Sequence, residues 1–136
     1  MARVLIVEDN AANLKLASFL LESAGHVVIS ARDAEAGLTI AREEQPNLIL
    51  MDIQLPGMDG LEATAVLKRD DVTRSIPVIA LTALAMKGDE ERIRGAGCDG
   101  YVAKPLDYKS FLATIASHLA NYQHAPTRVP GVSNAR

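Results

Sequence analysis

Short apolar runs alternate with longer amphipathic segments along almost the whole chain. The runs cover residues 4–7, 27–29, 48–51, 78–81 and 101–102, and each precedes a segment with helical spacing. The pattern predicts a βα unit repeated five times. Strands that are apolar on both faces and alternate with helices form a parallel sheet covered on both sides, with right-handed crossovers. We therefore predict a doubly wound α/β fold.

Particular residues mark the predicted helices. The i, i+3, i+4, i+7 spacing of small and apolar residues is clearest at Ala34, Gly37, Leu38 and Ala41, and at Leu112, Ile115, Ala116 and Leu119. Helix starts are predicted at the N-capping residues Asn10, Asp33 and Asp107, and ends at Gly25 and Gly97, where glycine allows a left-handed cap. The segment 86–97 offers little to a core beyond Met86, Ile93 and Ala96, so its helix should be the least firmly anchored.

Length and composition predict one compact domain. The chain has 136 residues, of which 49% are hydrophobic and 23% charged, and this balance suits a single core. We place the domain at residues 1–121. Residues 122–136 combine proline and glycine with no periodicity, which predicts a flexible tail or a linker cut from a longer protein.

Charge and cysteine content narrow the classes of partner. The net charge of -3 leaves no basic stripe for phosphates, which argues against a nucleic-acid or anionic-membrane binder. Cys98 is the single cysteine and cannot form an internal disulfide, so we expect a reducing compartment and a packing role for this side chain. No apolar stretch is long enough for a signal peptide or a membrane span. These features together predict a cytoplasmic protein.

The stretch LILMDIQLPGMDG, residues 48–60, ends an apolar strand on the carboxylate of Asp52. In an open parallel sheet, ligands bind at the carboxyl ends of the strands. Polar residues follow four of the predicted strands there: Glu8-Asp9, Asp52, Thr82-Ala83 and Lys104-Pro105. Taken singly, each could be only a helix-capping or turn residue. Together they predict one site.

The three acids Glu8, Asp9 and Asp52 indicate the chemistry of this site. Carboxylates held close together are stable only if one is protonated or a cation lies between them, and oxygen ligands without cysteine or suitably spaced histidine favour Mg²⁺. Lys104 adds a positive charge and Thr82 a hydroxyl donor. A metal, an ammonium and a hydroxyl around one free carboxylate suit phosphoryl transfer to Asp52. Because glycine-rich phosphate loops are absent, we expect no bound nucleotide.

These motifs resemble those of the receiver domains of two-component response regulators. The resemblance covers residues 2–119 and rests on VEDN at 7–10, LILMDIQLPGMDG at 48–60, LTA at 81–83 and KP at 104–105. It implies a flavodoxin-like (βα)5 fold with a parallel five-stranded sheet in the order 2-1-3-4-5. The first acidic pair is Glu-Asp where many relatives have Asp-Asp, and we expect the site to tolerate this difference.

The resemblance also implies individual roles. Asp52 would take a phosphoryl group from a histidine kinase or a histidine phosphotransfer protein. The metal ligands would be Glu8, Asp9, Asp52 and the backbone carbonyl of Gln54. The residues that bind the phosphoryl group or respond to it would be Lys104, Thr82, the small Ala83 and Tyr101, and the Lys104–Pro105 bond would be cis. Turnover would be limited to one phosphoryl group per aspartate, followed by slow self-hydrolysis.

Some segments resemble stand-alone, single-domain cell-cycle regulators of this family, and also receivers fused to hybrid kinases. Because the chain shows no DNA-binding domain, we expect output through a downstream protein. The predicted partner surface includes Met86, Arg94, Tyr101 and Asp107, and the protein would be a monomer or a phosphorylation-dependent dimer.

Three alternatives remain open from the sequence. A haloacid dehalogenase-type phosphatase would need a second aspartate where this chain has Gln54. A pseudo-receiver would bind partners without phosphorylation, which the acidic pocket and Lys104 argue against. The chain could also be a receiver excised from a hybrid histidine kinase.

Overall fold

The computed structural model describes residues 2–83 and 87–124. The elements in chain order are β1 (Arg3–Val7), α1 (Ala11–Ser23), β2 (Val27–Ala31), α2 (Ala34–Glu44), β3 (Leu48–Asp52), α3 (Gly60–Arg69), β4 (Val78–Thr82), α4 (Lys87–Gly95), β5 (Gly100–Ala103) and α5 (Tyr108–His124). The strands form one parallel sheet in the order β2-β1-β3-β4-β5. The predicted fold and strand order are confirmed. Within the described ranges, no helix is both long and apolar enough to cross a membrane.

Alternate side chains of the inner strands face two separate cores. In β1, Val4 and Ile6 pack under α1 and α5, whereas Leu5 and Val7 pack under α2, α3 and α4. Every residue of β3 and β4 is buried. This explains why their sequences are apolar almost without interruption, since both faces of a central parallel strand are covered.

The predicted helix starts are confirmed by their capping bonds. The side chains of Asn10, Asp33 and Asp107 each accept the backbone N–H of the residue three positions ahead. Such a bond satisfies one of the donors that the first turn of a helix leaves without a partner. Gly25 and Gly97 follow α1 and α4 with φ angles of +92° and +107°, a backbone region that side chains with a Cβ rarely adopt.

The buried face of α5 differs from the predicted one. Ile115 and Leu119 are buried as their spacing suggests, but Ala116 is exposed and Phe111 is fully buried in its place. Phe111, Ile115 and Leu119 recur every four residues and form one stripe, and the large aromatic ring fills more of the space below the sheet than an alanine methyl could. The helix continues to His124, three residues beyond the predicted domain end.

Helix α4 is built mainly from charged residues. Among its described side chains, Ile93 alone is buried. The ion pairs Asp89–Arg92, at 3.1 Å, and Glu90–Arg94, at 3.4 Å, lie on the helix surface, where such pairs add little stability. Met86, expected to help anchor this helix, lies outside the described residues.

Candidate functional site

Asp52 is the last residue of β3, and its side chain is buried. One carboxylate oxygen, Oδ1, accepts the backbone N–H of Gln54 at 2.9 Å, so Asp52 does cap the turn that follows it. The other oxygen, Oδ2, lies 3.1 Å from the ammonium nitrogen of Lys104. The Asp52 carboxylate therefore both caps the turn and belongs to the candidate site.

Parallel pairing brings the other acids to Asp52. In the register of β1 and β3, Val7 lies beside Met51, so Glu8 and Asp9 follow at the level of Asp52. The three acids each offer an oxygen, and these oxygens lie within 4.8 Å of one another. Glu8 and Asp52 are buried, whereas Asp9 is exposed. The sheet thus places two acids inside the protein and one at its surface.

The donor set fits a hard divalent cation. Carboxylate oxygens are the ligands that Mg²⁺ prefers, and three of them at this spacing repel one another unless positive charge is present. The Oε1 atom of Glu8 is buried and, within the described ranges, accepts no hydrogen bond of good geometry, although it lies 3.1 Å from Lys104 Nζ. This oxygen therefore has the capacity to coordinate a metal.

Burial and neighbouring charges shift the pKa values of Glu8 and Lys104. Burial, followed by the interaction with Asp52, raises the pKa of Glu8 from 4.5 to about 7. Burial lowers the pKa of Lys104, but its interactions with the carboxylates of Asp52 and Glu8 outweigh this and raise the pKa above its ordinary value. The ammonium consequently stays charged and offsets part of the repulsion between the carboxylates.

The ends of β4 and β5 complete the predicted site. Thr82 is buried and pairs with Ala103, and its carbonyl accepts the Lys104 backbone N–H at 2.8 Å. Ala83 follows and is exposed. The peptide bond between Lys104 and Pro105 is cis. The structure thus gathers Glu8, Asp9, Asp52, Thr82, Ala83, Lys104 and Pro105 at one edge of the sheet.

Of the predicted partner surface, the structure describes Tyr101, Arg94 and Asp107. Tyr101 is half-buried beside Ala80 in the middle of β5, where it packs against the core under α2, α3 and α4. Arg94 and Asp107 are exposed. Met86 falls outside the described residues, so its position is not part of this geometry.

Two features near the site were missed by sequence reasoning. Arg32, directly after β2, donates from its guanidinium to the backbone carbonyl of Asp9 at 2.8 Å. Its position directly after β2, like that of the other polar residues at strand ends, is the sequence signal that marks it. The second is a cavity of about 60 Å³ beside Lys104, lined in part by Leu16, Leu81 and Leu106. Its walls come from separate elements, and no local motif marks them.

Comparisons with known proteins agree with this geometry. The family described as "Response regulator receiver domain" matches residues 4–116. The polar-differentiation response regulator DivK of Brucella anthropi is 54% identical over 118 residues, which are 87% of this chain and 96% of DivK. DivK of Brucella ovis is 53% identical over the same shares of each chain.

Solved structures show the same architecture. A CheY-like receiver domain from Methanospirillum hungatei is 30% identical, with a TM-score of 0.85 over 93% of this chain and 99% of its own. The receiver domain of a sensor histidine kinase from Pseudomonas aeruginosa is 33% identical, with a TM-score of 0.82 over 88% of this chain and 98% of its own. That receiver carries a magnesium ion coordinated in its active-site cleft. By sequence, fold and site, the chain belongs to the response regulator receiver domains of two-component signalling.

Proposed function

We propose that Asp52 is the phosphoacceptor and that its phosphoryl donor is a histidine kinase or a histidine phosphotransfer protein. The observation that carries this proposal is the setting of the Asp52 carboxylate. It is buried, oriented by the Gln54 N–H at 2.9 Å, and paired with Lys104 at 3.1 Å. A carboxylate held in this way has a fixed direction of attack, with a cation ready for the incoming phosphoryl oxygens.

The transfer would exchange one bond for another. An Asp52 carboxylate oxygen attacks phosphorus, the P–N bond to the donor histidine breaks, and its electron pair returns to the imidazole. Lys104 can then bind a phosphoryl oxygen, and the Thr82 hydroxyl can donate to another. Attack by water later releases inorganic phosphate and restores Asp52. The reaction is stoichiometric, with slow self-hydrolysis in place of turnover.

The proposed metal is Mg²⁺, held by Glu8, Asp9 and Asp52 together with the backbone carbonyl of Gln54. Support comes from the three clustered carboxylates, from the buried Glu8 oxygen and from the magnesium-bound receiver of Pseudomonas aeruginosa. When bound, Mg²⁺ supplies positive charge to the phosphoryl oxygens. Glu8 offers the same carboxylate chemistry as an aspartate at this position, on a side chain one methylene longer.

Intact-mass spectrometry after incubation with acetyl phosphate and Mg²⁺ tests the phosphoacceptor. Wild-type protein should gain one phosphoryl group, about 80 Da, and Asp52→Asn should gain none. Asp71→Asn is the matched control, because Asp71 is exposed and pairs only with the nearby Arg74 among the described residues. An equal gain in Asp52→Asn would refute the assignment. A protein that never gains mass would favour the partner-only pseudo-receiver.

The response would be a shift between two conformations, which a phosphoryl group can bias only through contacts made in one of them. Thr82, Ala83 and Lys104 would contact the phosphoryl group, and Tyr101 packs against the core that contains Ile93 of α4. We propose that α4, Tyr101 and the start of α5 at Asp107 form the surface read by a downstream protein. Arg94, which is exposed, is included in this proposed surface, and so is Met86, as the sequence predicts.

Hydrogen exchange of phosphorylated and unphosphorylated protein tests this switch. Protection should change in α4 and at the start of α5, while α2, which packs on the same face of the sheet but against β1 and β2, should keep its exchange rates. A change confined to α2 would contradict the proposed surface. Light scattering of the same two samples would show whether the protein is a monomer throughout or dimerises on phosphorylation.

A further inference from the structure

Two consecutive residues at the end of β2 hold the two consecutive acids at the end of β1. The backbone N–H of Glu8 donates to the carbonyl of Ala31 at 3.0 Å. One residue further along each strand, the guanidinium of Arg32 donates to the carbonyl of Asp9 at 2.8 Å. The second bond continues the strand pairing by means of a side chain, beyond the point where the ladder itself stops.

The carboxylates of Glu8 and Asp52 are held by contacts that the carboxylate of Asp9 lacks. The carboxylate of Glu8 accepts the Asn10 N–H at 3.2 Å and pairs with Lys104, and that of Asp52 is held by Gln54 and Lys104. Over residues 2–83 and 87–120, the Asp9 carboxylate has no hydrogen bond or ion pair. Its direction therefore depends on the backbone that carries it, and Arg32 fixes that backbone.

Apart from its bond to Asp9, the Arg32 guanidinium has no charged partner among the described residues. No described carboxylate lies within ion-pair distance of its guanidinium. By Coulomb's law, a positive charge near a metal site weakens cation binding. Fixing the Asp9 backbone has the opposite effect, because a ligand already in place loses less freedom when the metal binds. The two effects have opposite signs, so a measurement separates them.

We propose that Arg32 is a positioning residue of the metal site, which holds the backbone of Asp9 so that its carboxylate faces the cation shared with Glu8 and Asp52. The proposal rests on the Mg²⁺ site of the proposed function. It adds that β2, a strand with no ligand of its own, sets the affinity of that site.

Calorimetric titration with Mg²⁺ at constant ionic strength tests the proposal. Arg32→Ala should weaken Mg²⁺ binding by about tenfold, the lower end of the range found for residues that orient metal ligands. Arg32→Lys can still donate to the carbonyl and should stay within about twofold of wild type. Arg3→Ala is the matched control. Arg3 also donates to a backbone carbonyl, that of Glu44 at 2.7 Å, but at the opposite end of β1.

The rate of phosphorylation by acetyl phosphate gives a second readout. In Arg32→Ala the Mg²⁺ concentration at half-maximal rate should rise, while the rate at saturating Mg²⁺ should match wild type. Because the Arg32 side chain is exposed, the thermal unfolding of Arg32→Ala in EDTA should match that of wild type. A lower plateau without a change in half-saturation would overturn the positioning role.

The remaining outcomes are also decisive. Unchanged or tighter Mg²⁺ binding in Arg32→Ala would overturn the proposal, and so would Arg32→Lys binding as weakly as Arg32→Ala. If the proposed Mg²⁺ site itself were wrong, the titrations would give a different result. In that case wild type would bind no Mg²⁺, or Asp9→Asn would bind it as well as wild type.

Discussion

Glu8 and Asp52 keep two carboxylates in the protein interior with one ammonium, that of Lys104, 3.1 Å from each. Desolvating charged groups costs several kcal/mol each, and one cation cannot fully compensate two anions. This electrostatic cost is visible in Glu8, because burial and the interaction with Asp52 raise its pKa to about 7. At the scale of single residues, the site is therefore arranged for a second positive charge.

The first prediction concerns the pH dependence of stability without metal. Because the pKa of Glu8 rises on folding from 4.5 to about 7, its contribution is fully present below the lower value and is lost as pH rises through the higher one. In EDTA, Glu8→Gln should remove this loss, on the order of 2 kcal/mol between pH 5 and pH 8. Urea unfolding at both pH values measures it. Glu22→Gln, on the exposed face of α1, should keep the wild-type slope, and the same slope in Glu8→Gln would contradict the prediction.

At the scale of elements, α3 begins directly against the backbone that carries the site. A Cβ added to Gly60 would overlap the carbonyl oxygen of Asp52 and lie 2.7 Å from the Cα of Ile53. The backbone N–H of Gly60 also donates to the Ile53 carbonyl at 3.2 Å. Only glycine allows this approach without displacing Asp52.

The second prediction follows from that contact. Gly60→Ala should lower the free energy of unfolding by about 1–3 kcal/mol, because the backbone must move to admit a methyl group, and should slow phosphoryl uptake by Asp52. Gly88→Ala in α4 is the control, since a Cβ there meets open space and alanine favours a helix. Urea unfolding and the acetyl phosphate mass assay measure both effects. Wild-type stability in Gly60→Ala would show that the contact is easily relieved.

The third prediction concerns α4. With Ile93 as its one buried side chain among those described, α4 should open locally at lower free energy than α5, which buries Phe111, Ile115 and Leu119. Amide hydrogen exchange should be faster in α4, and Ile93→Ala should speed it further there while leaving α5 protected. Equal protection of the two helices would count against α4 as the mobile part of the switch.

At the scale of the whole molecule, folding and metal binding should be coupled. The acids that form the proposed Mg²⁺ site come from β1 and β3, and they meet only in the folded sheet. A ligand that binds only the folded state stabilises it by an amount set by its concentration and affinity.

The fourth prediction states this coupling as a measurement. At Mg²⁺ one hundred times its dissociation constant, the free energy of unfolding should rise by about 2.7 kcal/mol, and EDTA should reverse the gain. Asp9→Asn should lose most of the gain, because one of the ligands becomes neutral. NaCl at the same ionic strength is the control for screening. A gain that NaCl reproduces, or that Asp9→Asn retains, would contradict a site built on these acids.

Much of the architecture could be predicted because its signals are local. Buried parallel strands require continuous apolar runs, and capping residues such as Asn10 and Asp33 act on backbone groups only three positions away. The α5 stripe was predicted only in part, since spacing alone did not decide between Phe111 and Ala116. Burial there depends on the volume below the sheet, which other elements set.

The sequence by itself determined the order of elements, the acids at the strand ends and the family, because each depends on residue types at fixed spacing. Only the tertiary structure decided the 3.1 Å contacts of Lys104 and the bond from Arg32 to Asp9. Both join residues far apart in the chain, through strand register and side-chain reach. Local pattern cannot fix such distances, because they follow from how the whole sheet packs.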